Sequence, residues 1–501
     1  MVSSKKVVFF FPAFSSTEAT APLGILAVAT PLLRAGYSIK LIDSTITPNF
    51  QARVLAELED ALCLCVSLVT GPMIRETAAI ARAAKQLYPD KPVVLGGWHP
   101  TLLPHQTLAA EFVDIVVAGQ GEDALLAVVQ HIEAGELPRG IPGVGYKDNG
   151  QLVFHPRGEL RPICELPPKA YELADFDAYE RTCGRRWAMY TSSLACPYNC
   201  GYCTNAAAYG RKWNALDAEQ ASREMCELAL RYRLQLLWVV DDNFLVDRNR
   251  ALEIAEGICE RGVKFEWSIQ ASTNLVTRLS VDEWKLMRRS GLTQVAQGAD
   301  SGSPTVMRAM NKTFQNLEMI YDAADRLTQA GVRPSFNMIF AYPGETAGDR
   351  RQSVDLIMKV CREYPGAEFW TNIFTPYPGA PIMDHAFELG IQVPTSLEEW
   401  VDFFPRYTEL PWLKGAEHRR LQTMRDYMRV AFNRIPIRRE QKRPLSRRLH
   451  EWIAAPARWR LDHDFYSFPV ELWMKDSLNR WMPPSKPKVD AKQLEAEVVT
   501  C

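Results

Sequence analysis

Hydrophobic positions along residues 1–145 follow two alternating rhythms. Short, nearly continuous apolar runs ("KKVVFFFPAF", "SIKLIDS", "ALCLCVSLV", "PVVLGG" and "DIVV") read as strands. Between them, "PLGILAVATPLLRAGY", "MIRETAAIARAAKQLYP" and "EDALLAVVQHIEAG" carry apolar residues at helical spacing. Continuous apolar strands separated by helices predict a parallel sheet covered on both faces. This is a doubly wound, Rossmann-like α/β domain, whose ligands bind at the carboxyl ends of the strands. Residues 146–187 change texture, with many prolines and charges in "GELRPICELPPKAYELADFDAYER", and read as a linker that wraps or docks. From 188 to about 400 a second series begins with the strands "AMYTSSLA", "LQLLWVVDD", "FEWSIQAS", "QVAQGAD", "RPSFNMIFAYPG" and "EFWTNIFTPYPG". Six such strand–helix units predict a partial (β/α)6 barrel of TIM type, with its active site at the C-terminal strand ends. Residues 401–501 read as a helical region with a loose polar tail.

Composition narrows this picture. The chain has 501 residues and a formal net charge of −1, so no global field draws it to nucleic acid or an anionic membrane. The opening "MVSSKKVVFFFPAFSS" reads as a buried first strand, because its apolar run stops at Pro12 without a cleavage site. No stretch is long and apolar enough for a transmembrane helix. Eleven cysteines, mostly scattered, imply reduced thiols and a cytoplasmic protein.

Three of those cysteines are not scattered. "ACPYNCGYC" places Cys196, Cys200 and Cys203 just after the first strand of the second series, where barrels place their chemistry. A structural zinc site needs four ligands, and Cys183 and Cys226 lack a short-motif spacing to the trio. A trio of thiolates can hold three irons of a cubane and leave the fourth iron open.

The C-x3-C-x2-C spacing, with Tyr202 before the last cysteine, resembles the radical S-adenosylmethionine (SAM) superfamily. The resemblance implies that Cys196, Cys200 and Cys203 bind a [4Fe–4S] cluster. Its open iron would chelate SAM and cleave it to a 5′-deoxyadenosyl radical, with electrons from a donor such as flavodoxin or ferredoxin. Further strand ends fit the same pattern. "VVDDNF" places Asp241 and Asp242 where the family keeps polar groups for the SAM ammonium, and either carboxylate could serve. "SIQAS" puts Gln270 and Ser272 near the expected ribose. "GADSGS" resembles the family's G-I-E-S-G-S, with Asp300 in place of the usual Glu, followed by Ser301. "AYPGET" and "TPYPGAP" are similar to its later strand ends.

The first domain resembles the cobalamin-binding domain of B12-dependent radical SAM proteins, through "VVLGGWHPTLLP", "VAGQGEDAL" and "APLGILAVATPLLRAGYSIKLID". The resemblance implies that Ser67, Gly96 and Gly97, with Gly119, Gly121 and Glu122, line the cobalamin pocket. His99 and His105 are candidate pocket contacts. The family's D-x-H-x-x-G motif, whose His ligates cobalt, has no counterpart in "PAFSSTEATAPLG". Either cobalamin binds without a protein imidazole or it does not bind. Cys63 and Cys65 read as small buried residues of a strand.

Between Arg434 and Arg460 nine Arg or Lys stand against two Glu, interleaved with Trp452 and Trp459 and followed by Trp473 and Trp481. A solvated helical face with packed tryptophans, peripheral contact with a lipid, and base stacking are the three readings. The net charge argues against nucleic acid. The two resemblances together imply cobalamin-dependent C-methylation, and the C-terminal region suggests an apolar or amphipathic small molecule as substrate. An anaerobic tetrapyrrole cyclase and a radical lipid coupling stand as alternatives within the family. A non-catalytic cobalamin sensor stands outside it.

Overall fold

The computed structural model describes residues 5–14, 19–403, 410–432 and 444–474. It divides into two compact units, Met1–Lys414 and Gly415–Cys501. The first unit holds two main sheets.

The first sheet contains β1 (Lys6–Phe11), β2 (Ser38–Asp43), β3 (Leu64–Ser67), β4 (Val93–Gly96), β5 (Ile115–Val117), β6 (Val144–Asp148) and β7 (Gln151–Phe154), in the order β2-β1-β3-β4-β5-β6-β7. β1 to β5 are parallel. The continuous apolar run of β1 has a direct cause. Successive side chains point to opposite faces, so Val8 and Phe10 enter one core while Val7 and Phe9 enter another. Helices Phe50–Leu58 and Met73–Leu87 supply the first core; Leu23–Arg34 and Glu122–Ala134 supply the second.

Two features depart from the expected boundaries. Residues 144–154 form a hairpin that extends the sheet in antiparallel pairing, instead of starting a linker. Its alternating residues lack the apolar run that marks a doubly covered strand. Further on, residues 380–401 leave the barrel and complete the first core with Ala380, Met383, Leu397 and Trp400. Trp400 donates its indole N–H to Gln106, and Glu398 forks onto the Arg82 guanidinium at 2.8 and 2.6 Å.

What remains of the linker is a strap. Thr30 Oγ1 donates to the Pro168 carbonyl at 2.8 Å, and the Ala170 N–H to that of Leu26 at 2.9 Å. Tyr179 donates to Asp43 at 2.7 Å, and Tyr171 to the Met189 carbonyl at 2.6 Å. The strap therefore bonds both to the first domain and to the edge of the barrel.

The barrel sheet contains β8 (Trp187–Tyr190), β11 (Leu236–Val239), β12 (Glu266–Ala271), β13 (Leu292–Asp300), β14 (Arg333–Phe340) and β15 (Glu368–Ile373). All neighbours are parallel, in the order β15-β14-β13-β12-β11-β8, so six strands form an incomplete barrel. The short hairpin β9 (Ser193–Leu194) and β10 (Asn214–Ala215) brackets the cysteine loop. Burial alternates along these strands. Leu237, Val239, Trp267, Ile269 and Val295 pack against helical residues such as Ile254, Trp284, Met287 and Leu327. The other phase, including Trp238, Gln270, Asn337 and Trp370, faces the barrel interior and is only partly covered or exposed.

The second unit contains the helices Gly415–Phe432 and Pro444–Asp462. Its described core includes Leu421, Tyr427, Ile453 and Leu461. Trp452, Trp459 and Trp473 are exposed, although Trp459 stacks on His463 with ring centroids 4.5 Å apart. Trp481 and the basic side chains from 434 to 448 lie outside the described residues.

Candidate functional site

The cysteine loop leaves β9 and is held by segments distant in sequence. Its Gly201 N–H donates to the Met310 carbonyl at 2.8 Å, and its carbonyl accepts from Ile382 at 2.8 Å. A Cβ on Gly201 would stand 2.7 Å from the Tyr342 hydroxyl, so any side chain there would displace Tyr342. Asn311 donates to the Asn199 carbonyl at 2.7 Å, and Asn274 to the Tyr198 hydroxyl at 2.7 Å. Tyr198 also stacks on Phe314, with ring centroids 3.9 Å apart.

Four non-glycine residues near this loop adopt left-handed backbone conformations: Ala195 (φ 66°), Asp300 (φ 60°), Asn311 (φ 56°) and Ala341 (φ 61°). Each costs about 1–2 kcal/mol, and such strain tends to collect at functional sites. Ala195 immediately precedes Cys196. Asp300 ends β13, and Ala341 follows β14.

All three cysteines are free and partly exposed. Burial is the largest cause that raises their thiol pKa values, to about 12 for Cys200. Iron binding would displace these protons. Among the described residues no three His, Cys, Asp or Glu side chains converge on a single ion position. Cubane thiolates bind separate irons and need no such convergence. The donor set and its loop therefore fit a cluster held by three ligands.

The neighbouring strand ends divide into free and engaged groups. Asp241 is wholly buried and accepts from the Ser192 N–H (2.6 Å), the Ser192 hydroxyl (2.6 Å) and the Ser193 hydroxyl (2.7 Å). It pins the turn between β8 and β9. Asp242 instead opens onto a cavity, where desolvation raises its carboxyl pKa. Of the two carboxylates, Asp242 is the one available to a ligand. Ser272 accepts from the Asn243 amide at 3.1 Å, and the same amide stands 3.8 Å from Cys196 Sγ. Gln270 faces the barrel interior. Ser301 is fully buried against Ser353 of helix Ala347–Glu363, so it braces that helix.

Asp300 is also engaged. Its carboxylate accepts from the Tyr202 hydroxyl at 2.8 Å and pairs with Lys312, both charged side chains being 3% exposed. Lys312 also donates to the Gly298 carbonyl at 2.8 Å. Tyr202 is thus a tether from the cysteine loop to β13. Asn243, Lys312 and Gln315, which donates to Gly298 at 2.9 Å, were missed by the sequence reading. Asn243 could have been suspected because it follows the acidic pair directly.

The cavity, about 740 Å³, runs between the first domain and the barrel. Ser67, Gly96, Gly97, Gly119, Gly121 and Glu122 all line it. Gly97 has φ +98°, and a Cβ there would meet the Leu68 carbonyl at 2.7 Å. The backbone is thereby left bare toward the cavity. Tyr171 and Lys169 of the strap line it too, and Ala208, Tyr209 and Asp242 lie on its barrel side. Desolvation lowers the pKa of Lys169 and raises that of Glu122.

Among the described residues no histidine lines this cavity. His99 is wholly buried behind it, with Nδ1 3.0 Å from Thr70 Oγ1 and its ring edge-on to Trp400. His105 lies against Phe154, with centroids 3.9 Å apart. A bare-glycine cradle with amides, hydroxyls and apolar side chains fits a large corrinoid without a protein imidazole.

Comparison with known proteins adds the following. Residues 14–129 match the B12 binding domain family, and residues 190–357 match the radical SAM superfamily. An uncharacterized methyltransferase of Pyrococcus horikoshii is 26% identical over 370 residues, covering 73% of this chain and 78% of its own. The anaerobic magnesium-protoporphyrin IX monomethyl ester cyclase of Cereibacter sphaeroides is 22% identical over 395 residues, covering 75% of this chain and 63% of its own. The hopanoid C-3 methylase of Methylococcus capsulatus is 22% identical over 374 residues, covering 72% and 67%. Among solved structures, the radical SAM methyltransferase TsrM of Kitasatospora setae, with cobalamin and cluster bound, superposes with TM-score 0.66 at 18% identity, covering 80% of this chain and 82% of that one. The cobalamin-dependent radical SAM enzyme OxsB gives TM-score 0.69 at 14% identity, covering 95% and 75%.

Proposed function

The chain is a radical SAM enzyme with a B12-binding domain, and we propose that it methylates an unactivated carbon of an apolar or amphipathic small molecule. Its cofactors are a [4Fe–4S] cluster, SAM and cobalamin. One observation carries the methylation reading. The cavity runs from the glycine cradle at Gly96, Gly97 and Gly119 to Asp242, whose charge reaches Cys196 and Cys203 of the cysteine loop. A methyl carrier in the cradle and a radical source on the loop would thus address one space. The names of the Pyrococcus and Methylococcus relatives support the same choice.

When bound, the cluster supplies the electron that cleaves SAM, and cobalamin supplies the methyl group. The chain's own residues hold, orient and shield. Cys196, Cys200 and Cys203 would hold the cluster, and Tyr202 would fix their loop through Asp300. Asp242 presents a carboxylate to the SAM ammonium. Desolvation raises its pKa, and a neighbouring cation would bring it back down. Asp241 keeps the β8–β9 turn in place and does not touch SAM. Tyr171, Tyr190 and Leu166 close the cavity against water. We assign electron delivery to a flavodoxin or ferredoxin. Among the described residues no helix is long and apolar enough to cross a membrane, which suits the proposed cytoplasmic setting.

A second reading, oxidative cyclisation, is kept by the similarity to the Cereibacter cyclase. SAM labelled in its methyl group separates the two. Label in an organic product supports methylation. Turnover that leaves all label on SAM-derived by-products overturns it in favour of cyclisation.

A further inference from the structure

We propose that the inner face of β14 and β15, centred on Trp370, receives the body of the substrate, a flat and largely apolar ring system bearing a neutral hydrogen-bonding group. The inference rests on the reading of this chain as a radical SAM enzyme and names the substrate class of that site.

The two faces of β15 differ in kind. Phe369 and Ile373 are buried on the helical side, and Phe369 stacks on Phe336 of β14 with centroids 5.0 Å apart. On the inner side, Trp370 is 51% exposed and Asn372 is exposed as well. The indole is not loose. Its N–H donates to Ser335 Oγ at 3.2 Å, across to the neighbouring strand on the same face. That bond spends the ring's polar end and turns its apolar surface to the interior. An aromatic ring fixed in place and left half open offers a flat apolar surface on which another ring can stack.

Strand register joins this wall to the cluster site. Trp370 stands beside Asn337, and Asn337 beside Gly298. The Gly298 carbonyl accepts from Lys312, which pairs with Asp300, the partner of Tyr202 in the cysteine loop. A ring resting on Trp370 therefore lies level with Gly298, two residues before the Asp300 that holds Tyr202 of the cysteine loop.

The polar groups of the wall set the class of the ligand. The amides of Asn337 and Asn372 make no side-chain hydrogen bond to any described residue, and each offers a donor and an acceptor. The charged residues of this face, Arg333 and Glu368, stand 3.4 Å apart and neutralise each other. The wall thus has one amide on each strand, set diagonally, and no net charge. It suits a carbonyl, hydroxyl or carboxamide, and gives a carboxylate or phosphate no cation.

The test uses the full chain reconstituted anaerobically with cluster, cobalamin and SAM. The probes are 1-pyrenecarboxamide and unsubstituted pyrene, followed by equilibrium dialysis. Wild type should bind both. Trp370→Ala should weaken both by about 10-fold or more, as loss of ring stacking and buried apolar area requires, while Trp370→Phe should keep most of the affinity. An Asn337→Ala/Asn372→Ala double variant should weaken the carboxamide severalfold and leave pyrene unchanged. Iron content and cluster absorption report folding of each variant. If Trp370→Ala loses the cluster, Trp370→Leu takes its place. Equal affinity in wild type and a folded Trp370 variant lacking a ring overturns the proposal, as does a wild type that binds neither probe. Failure of the underlying enzyme reading is seen separately, as no 5′-deoxyadenosine from wild type.

Discussion

The two sheets use the same parallel strand–helix unit, yet their binding surfaces are made of different material. In the first sheet both faces are closed. Val7 and Phe9 on one side and Val8 and Phe10 on the other leave only the strand ends for a ligand. Two of those ends are Ser67 and Gly96, and with Gly97 the surface they offer is largely backbone. In the barrel sheet one face is closed by Trp267, Ile269 and Val295, and the other is only partly covered. There the surface is made of side chains: cysteines, amides and an indole. Substitutions should therefore act by different routes in the two regions, by added bulk in the first and by lost groups in the second.

The largest effect belongs to the barrel. Cys196→Ala, Cys200→Ala and Cys203→Ala should each remove the iron–sulfur absorption and reduce 5′-deoxyadenosine formation to background. Retained turnover in any one of them would break the assignment of the loop.

Next is the first sheet. Gly97→Ala adds a single methyl group. Its Cβ would stand 2.7 Å from the Leu68 carbonyl and 3.0 Å from Ser67 Oγ, in a backbone conformation with φ +98°. The expected cost is about 1–3 kcal/mol of local strain, with cobalamin affinity lower by about tenfold, equivalent to 1.4 kcal/mol. Cobalamin retained after gel filtration measures it. The variant should keep its cluster, because the cysteine loop belongs to the other sheet. Loss of both cofactors together would show that the sites are not independent.

The sequence made the strands of both sheets legible, because period and length suffice for strand–helix units. It also made the cysteine trio legible as a unit, because its members lie within eight residues of one another. The residues that fix that loop were hidden. Lys312 lies twelve positions from Asp300, and a lone lysine carries no sign that it will be buried against a carboxylate. The roles of Asp241 and Asp242 could not be told apart from adjacent identical residues. Only the Ser192 and Ser193 hydroxyls distinguish them. Ser301 and Asp300 occupied the right strand end but face other protein groups. The hairpin at 144–154 and the return of residues 380–401 to the first core were illegible for another reason. They are tertiary choices, made by an uncovered strand edge and an uncovered helix face.

His99 gives the smallest effect and a test of how tightly the first sheet is closed. It was a candidate pocket contact but is buried against Thr70 and Trp400, and burial pulls its pKa from 6.5 to about 4. The unfolded chain gains a proton as pH falls through about 6.5, whereas the native histidine stays neutral until about 4. Between these values the unfolded state binds more protons, so stability falls as pH falls. The full difference is about 3 kcal/mol as an upper bound, lost progressively from about pH 6.5 to pH 4 and flat above. Urea midpoints at a series of pH values measure it. His99→Phe keeps a ring edge-on to Trp400 and removes the titration, so its stability should decline less steeply across the same window. Equal slopes in the two proteins would mean that His99 is reached by water, and that the face closed by residues 380–401 opens in solution.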